Sequence, residues 1–247
     1  MEPIYKQQFQ IPTAGVDRYG RLKPSWILYY AQQVAGKHFD TFQLSLVSPE
    51  QKQLFWAVIR HRVQITRLPM ENETITVETW PMPTTRVAYP RSTVAYDQDG
   101  KELFRSISLW VLMDQESRAM ILPGKSGVTV GGLLRGSELA APGSLAPKGL
   151  DQHSSRTVGF TELDVNGHVN NTRYLDWVAD LLPSAFHQAH PAKEFTVCYL
   201  SEVMEGQQLD LVWQLQDGPV IQVDALRRSG ENTEQKERVF SAQMIFE

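Results

Sequence analysis

Hydrophobic and polar positions repeat with two different periods along this chain. Ile75, Val77 and Thr79 share one face of a run whose other face is Thr74, Thr76 and Glu78, the period of two that marks a half-buried strand. Val63, Ile65 and Arg67 form a second such run. Val94 and Tyr96 close a third before Asp97-Gln98-Asp99-Gly100, whose Asp-Gly pair suits a hairpin. Elsewhere a helical period takes over. Tyr174, Leu175, Trp177, Val178, Leu181 and Leu182 make one stripe. Asn170 or Asn171 can cap it, because a side-chain oxygen accepts from the free N–H groups of a first turn, and Pro183 limits its continuation. Pro24 stands just inside the start of an earlier helix, with Trp26, Ile27, Tyr30, Val34 and Phe39 behind it. One long helix followed by an antiparallel meander predicts an α+β unit, the helix covering one sheet face.

That unit occurs twice. Asp17 and Asp164 lie 147 residues apart, as do Gly20 and Gly167, and Leu28 and Leu175. Met70-Glu71 and Met204-Glu205 are 134 apart, and Lys101-Glu102 and Lys236-Glu237 are 135 apart, as are Ser106 and Ser241. Ordered pairs at nearly constant spacing point to a duplication, with 13 extra residues between the helix and the second strand of the first copy. Gly136 to Ser155, rich in Gly, Pro, Ala and Ser without either period, reads as the linker. The expected domains are therefore 1–135 and 156–247, joined by 136–155.

Composition narrows the function. With 24 Lys and Arg against 28 Asp and Glu, the chain carries a net charge of −4, which argues against a general nucleic-acid binder. Cys198 is the single cysteine, so no internal disulfide forms and no cysteine-based zinc site is expected. The apolar runs Leu54 to Ile59 and Ser108 to Met113 fall far short of the roughly 20 residues of a spanning helix. Met1 to Gln10 has no apolar signal core, so the cytoplasm is the expected location.

The densest polar cluster is Asp164-Val165-Asn166-Gly167-His168-Val169-Asn170-Asn171, entering the second helix. A helix N-terminus offers unpaired N–H groups and a positive dipole end, which suit an oxyanion on an attacked carbonyl. A histidine there can act as a base near neutral pH, and Asp164 or Asn166 can orient it or a water. The plainer alternative is a turn with an Asn cap and one exposed histidine. The first copy keeps Asp17 and Gly20 but has Tyr19 and Arg21 where Asn166 and His168 stand. Asp and Gly thus serve the turn in both copies, and the extra groups of the second copy are candidates for chemistry, one site per chain.

The run LDVNGHVNN followed by Tyr174 resembles the signature of the acyl-acyl-carrier-protein (acyl-ACP) thioesterases. Phe55-Trp56-Ala57-Val58-Ile59-Arg60, Arg67-Leu68-Pro69, Thr79-Trp80 and Ser108 to Asp114 with Arg118 resemble the family in the same order. The resemblance implies two tandem hotdog folds packed as a pseudo-dimer, with the first unit lining the acyl tunnel. It carries the family's Asp, Asn and His onto Asp164, Asn166 and His168. Plant members add a Glu-Cys pair on a following strand. By the register of the later acidic residue that pair falls at Cys198 and Tyr199, so the Glu is missing and the cysteine sits one position early. Glu202 lies on the same stretch and is a further candidate, although by this register it is not the family's Glu. Cys198 itself reads as a small buried core residue.

The implied activity is hydrolysis of fatty acyl-ACP to free fatty acid and holo-ACP in fatty acid biosynthesis, of the oleoyl-ACP hydrolase type. His168 is the expected base, with Asp164 and Asn166 orienting and helix-start N–H groups holding the oxyanion. A rival assignment makes Asp164 the base or nucleophile. An acyl-CoA thioesterase, a hotdog dehydratase and a non-catalytic acyl or carrier-protein binder are the alternatives. No metal or organic cofactor, nucleic acid or membrane is implied, and the chain would be a monomer or homodimer. Arg60, Arg62, Arg67, Arg86 and Arg91 are candidates for docking an acidic carrier protein. The pair His187 and His190, beside Pro191, has no carboxylate cluster to complete a metal site, and Trp56, Trp80 and Trp110 read as packing residues.

Overall fold

The computed structural model describes residues 2–136, 138–216, 218–228 and 236–247, and divides into two units, Met1–Pro142 and Gly143–Glu247. In the first unit the alternating runs form β1 (Tyr5–Gln10), β2 (Leu54–Ile65), β3 (Thr74–Pro81), β4 (Tyr89–Tyr96) and β5 (Glu102–Asp114). They pair antiparallel in the order β1-β3-β4-β5-β2, and the short β6 (Met120–Ile121) adds to β5. Ile75, Val77 and Thr79 are fully buried, as their alternation predicts. Arg67 falls beyond the end of β2 and does not continue that strand.

Helix α1 (Pro24–Asp40) begins at the proline, whose missing N–H has no partner to lose at that position. It lies against β1 and β3 and buries Ile27, Leu28, Tyr30, Ala31 and Val34. Each large aliphatic side chain so removed from water contributes about 1.5–3 kcal/mol. A four-residue helix α2 (Pro123–Ser126) follows β6.

The second unit repeats the plan with β7 (Gln152–Thr157), α3 (Arg173–Asp180), α4 (Ser184–Ala189), β8 (Ala192–Tyr199), β9 (Gln208–Gln216), β10 (Val220–Arg228) and β11 (Lys236–Phe246). Its sheet runs β8-β11-β10-β9-β7, all antiparallel. The helix departs from expectation: it starts at Arg173 and lasts eight residues. Asn170 does cap, but one turn earlier, with Oδ1 accepting the N–H of Thr172 at 3.0 Å and its hydroxyl at 2.8 Å. Pro183 then separates α3 from α4. The stripe is buried as predicted, except for half-buried Leu181, and Tyr174 stacks on Phe240 at 4.5 Å between centroids.

The segment 136–155, whose Ser137 lies outside the described residues, is largely exposed but anchored at several points. Leu133 N–H donates to Pro81 O just before it, and β7 begins within it at Gln152. Between these, Arg238 donates to Leu145 O at 3.0 Å and Gln222 to Ala146 O at 3.2 Å, while Cys198 Sγ faces Gly143 O at 3.8 Å. At these three points carbonyls rather than side chains make the bonds, which leaves no hydrophobic period to read. Among the described residues, no helix is long and apolar enough to cross a membrane.

Candidate active site

The polar cluster folds as a tight hairpin turn. Asp164 N–H donates to His168 O at 2.7 Å, and Gly167 N–H to Asp164 O at 3.0 Å. Asp164 Oδ1 accepts the N–H groups of Asn166 at 2.8 Å and His168 at 3.3 Å. Asp17 does the same for Tyr19 and Arg21 (2.8 and 3.0 Å), and Asp97, in a plain hairpin, for Asp99 and Lys101 (3.0 and 2.9 Å). Gly20, Gly100 and Gly167 sit at φ of 76°, 76° and 77°, a left-handed conformation that a side chain would strain. Asp-x-x-Gly is therefore a turn device used three times. Oδ1 of Asp164 holds the backbone of Asn166 and His168. Replacing Asp164 by Ala should cost about 1–2 kcal/mol of stability for two lost hydrogen bonds, and Asp17→Ala at least as much, since Asp17 also pairs with Arg21. Only Asp164→Ala should also lower kcat, since only its loop carries His168. Denaturant melts and steady-state rates on both variants check this, and equal loss of kcat would put chemistry at both loops.

Long-range pairing then brings a second carboxylate to the histidine. Val169 N–H donates to Val203 O at 2.8 Å, and His168 bridges Met204. The loop after β8 is thereby fixed beside the turn, with Glu202 Oε2 3.5 Å from His168 Nε2. His168 is largely covered and Glu202 more open, with side chains 18% and 44% exposed. The first copy has the same bridge, Arg21 to Met70, but there the cation pairs with Asp17 of its own turn at 3.1 Å.

Arg227 of β10, which the sequence did not single out, holds the Glu202 loop in place. Its guanidinium donates to Glu202 O (2.7 Å), Gln207 Oε1 (2.9 Å), Ser201 Oγ (3.2 Å) and Glu237 Oε2 (2.6 Å). Tyr174 is buried nearby. Burial, with help from the negative charges of Asp164 and Glu202, raises its phenol pKa well above the ordinary value against the opposing pull of Arg227, so the hydroxyl stays protonated.

The remaining predictions divide. Asn166 is exposed on the turn, one residue from Gly167. Cys198 is buried on β8 with Sγ facing Gly143 O. Of the N–H groups entering the second helix, those of Asn170, Thr172 and Arg173 go to Glu162 O, Asn170 Oδ1 and Asn170 O. His187 and His190 turn to the backbone carbonyls of Ala179 and Glu247.

A buried carboxylate supports the turn from below. Glu162 accepts from Arg156, from Trp177 Nε1 at 2.6 Å and from Gly159 N–H at 2.8 Å, while Arg156 lies 4.8 Å over the Trp177 ring. Burial pushes its pKa up, but Arg156 and the other donors outweigh it and hold it below the ordinary 4.5. A carboxyl that ionises more readily folded than unfolded adds stability above its unfolded pKa and loses it as pH falls. Tm should therefore drop below about pH 4.5, more steeply in the wild type than in Glu162→Gln, as melts across pH 3–7 would show.

The first unit contains a cavity of about 240 Å³ between α1 and the sheet. Trp56, Tyr89, Trp110, Phe39 and Val130 supply its apolar wall. Trp56 and Trp110 pack against the cluster of Leu54, Tyr89, Leu112 and Val128, and Trp80 is buried, so all three tryptophans are packing residues as expected. Arg91 also lines the cavity and is buried, which removes it from the candidate docking cations. Arg67 is paired with Glu73 at 2.7 Å.

Comparison with known proteins agrees on one family. The model described as acyl-ACP thioesterase N-terminal domain matches residues 2–122, and that described as acyl-ACP thioesterase C-terminal domain matches 147–242. The palmitoyl-acyl carrier protein thioesterase of Arabidopsis thaliana is 25% identical over 216 residues, covering 81% of this chain and 52% of that protein. The oleoyl-acyl carrier protein thioesterase 2 of the same plant is 22% identical over 233 residues, covering 83% and 61%. This chain thus spans little more than half the length of these curated relatives. In structure it is similar to an acyl-ACP thioesterase from Bacteroides thetaiotaomicron (TM-score 0.85, 23% identity, 99% and 98% of the two chains covered). The 12:0-ACP thioesterase from Umbellularia californica gives a TM-score of 0.81 at 21% identity, covering 100% and 98%. Both support the tandem hotdog fold.

Proposed function

This chain belongs to the acyl-ACP thioesterase family, and from that premise we propose that it hydrolyses the thioester of a fatty acyl chain on acyl carrier protein, with Asn166, His168 and Glu202 acting on the carbonyl. The observation that carries this reading is the His168–Glu202 pair at 3.5 Å, present only in the second copy of the turn. Glu202 holds the Nε2 side of the imidazole, which leaves Nδ1 to accept a proton from water. The water oxygen bonds to the thioester carbon, and the carbonyl oxygen becomes an oxyanion within reach of the Asn166 amide. Collapse breaks the C–S bond. The proton held by His168 passes to the thiolate, giving a carboxylic acid and a thiol. Asp164 shapes the turn that carries two of these groups. The cavity of the first unit takes the acyl chain, and exposed Arg86 remains a docking cation for an acidic carrier.

The relatives are named for palmitoyl, oleoyl and dodecanoyl substrates, so chain length does not transfer with the family. The test is thiol release from acyl-ACP set against acyl-CoA of the same chain. Free thiol with faster turnover of the carrier-bound form is expected. Faster turnover of the CoA ester would make it an acyl-CoA thioesterase, and an enoyl thioester formed without thiol release would make it a dehydratase. Binding without turnover would make it a binding module.

A further inference from the structure

Arg91 is an unusual residue to find in an apolar wall. It stands on β4 among the residues lining the first unit's cavity and is only 7% exposed. Its two hydrogen bonds both use Nη1 and both go to neutral atoms, His38 Nδ1 at 3.2 Å and Thr79 Oγ1 at 3.3 Å. Since guanidinium only donates, His38 Nδ1 must accept, and Nε2–H faces Glu2 O at 3.1 Å. Burial foremost, and the charge of Arg91, lower the pKa of His38 despite the opposing Glu2 carbonyl, which keeps the ring neutral. His61, two strands away in the same sheet row through Ser108, is fully buried with its pKa pushed down to about 3, and adds no charge. Among the described residues no carboxylate pairs with Arg91. Asp40, the other formal charge lining the cavity, is exposed at the end of α1 and forms no ion pair with it.

A buried cation with only neutral partners is costly, and packing alone does not explain it, because a Met or Leu would fill the wall without the desolvation. Of five N–H donors the fork uses one nitrogen's worth on protein. We propose that Arg91 receives a carboxylate at the end of an alkyl chain lodged in this cavity, so that the substrates include acyl thioesters whose far end carries a carboxyl group. The carboxylate supplies the direct charged partner that Arg91 lacks, which Asp40 at the exposed end of α1 does not, and the fork can meet it with paired N–H groups. The apolar wall accepts the methylenes between. This inference rests on the thioesterase reading for the head of the substrate; the anion site at its tail does not.

Two measurements separate the two. Calorimetric titration with decanoate and with decanol reads the anion site without any hydrolysis. Decanoate is expected to bind at least about 10-fold more tightly than decanol, and Arg91→Met to weaken decanoate by about 10- to 100-fold, the usual range for a charge-assisted bond. In turnover, the mono-thioester of decanedioic acid should exceed the decanoyl thioester in kcat/KM by a similar factor, and Arg91→Met should collapse that ratio. Equal binding of decanol and decanoate, or a methyl-ended thioester preferred by the wild type, overturns the proposal. These wild-type comparisons decide it even if Arg91→Met does not fold. Arg91-dependent decanoate binding with no hydrolysis of either thioester would uphold the anion site and refute the hydrolase reading.

Discussion

His168→Ala is expected to lower kcat by about 10²- to 10⁴-fold, the usual worth of a positioned general base, with a smaller change in KM. The side chain sits on a turn whose backbone bonds are made by Asp164, Gly167 and Val203, none of which uses the imidazole. The variant should therefore fold, and the loss should be chemical. Steady-state rates of both proteins test this. Near-wild-type turnover by His168→Ala would assign the base to Glu202 or Asp164 and leave the histidine as an orienting group.

Local pattern carried much of the fold because local physics decides it. Pro24 marked the start of α1, the stripe residues Tyr174, Leu175, Trp177 and Val178 marked the buried face of the second helix, and Asp-Gly marked the hairpin after β4. The duplication was legible because both copies need the same Asp-x-x-Gly turn and the same bridge to a methionine, Arg21 to Met70 and His168 to Met204. The site was legible only where it is contiguous. Asp164, Asn166 and His168 share one turn, but Glu202 reaches His168 through a strand-end loop set by the Val169–Val203 bond, and no sequence spacing encodes that contact. A register drawn along β8 led to Cys198, whose side chain faces the 143–146 segment instead. Arg227 lies further off still, on another strand. Arg91 was misread for a different reason: from Tyr89 to Ala95 every residue of β4 is buried, so no alternation separates an inward arginine from an outward one. The length of α3 was missed because Asn170 caps a turn that precedes the helix.

Glu202→Gln is expected to lower kcat by about 10²- to 10⁴-fold as well, by analogy with a carboxylate that fixes the tautomer of a catalytic histidine. The substitution is nearly isosteric. The main-chain carbonyl that Arg227 holds at 2.7 Å is untouched, so the loop should keep its place. What changes is the partner of Nε2. A carboxylate accepts the Nε2 proton and stabilises the imidazolium formed when water is deprotonated, whereas an amide can present its NH₂ and draw the neutral ring into the opposite tautomer. Nδ1 would then carry the proton and could not take one from water. If the two residues act as one unit, His168→Ala/Glu202→Gln should be little worse than His168→Ala alone, because effects within a catalytic pair are far from additive. Multiplying losses in the double variant would instead mean that Glu202 acts on the reaction independently, as a second proton acceptor facing the same water. Single-turnover rates of the two single variants and the double variant, on one acyl-ACP, distinguish the outcomes. Near-wild-type turnover by Glu202→Gln would remove Glu202 from the site and leave its approach to His168 as a consequence of the loop's anchoring by Arg227.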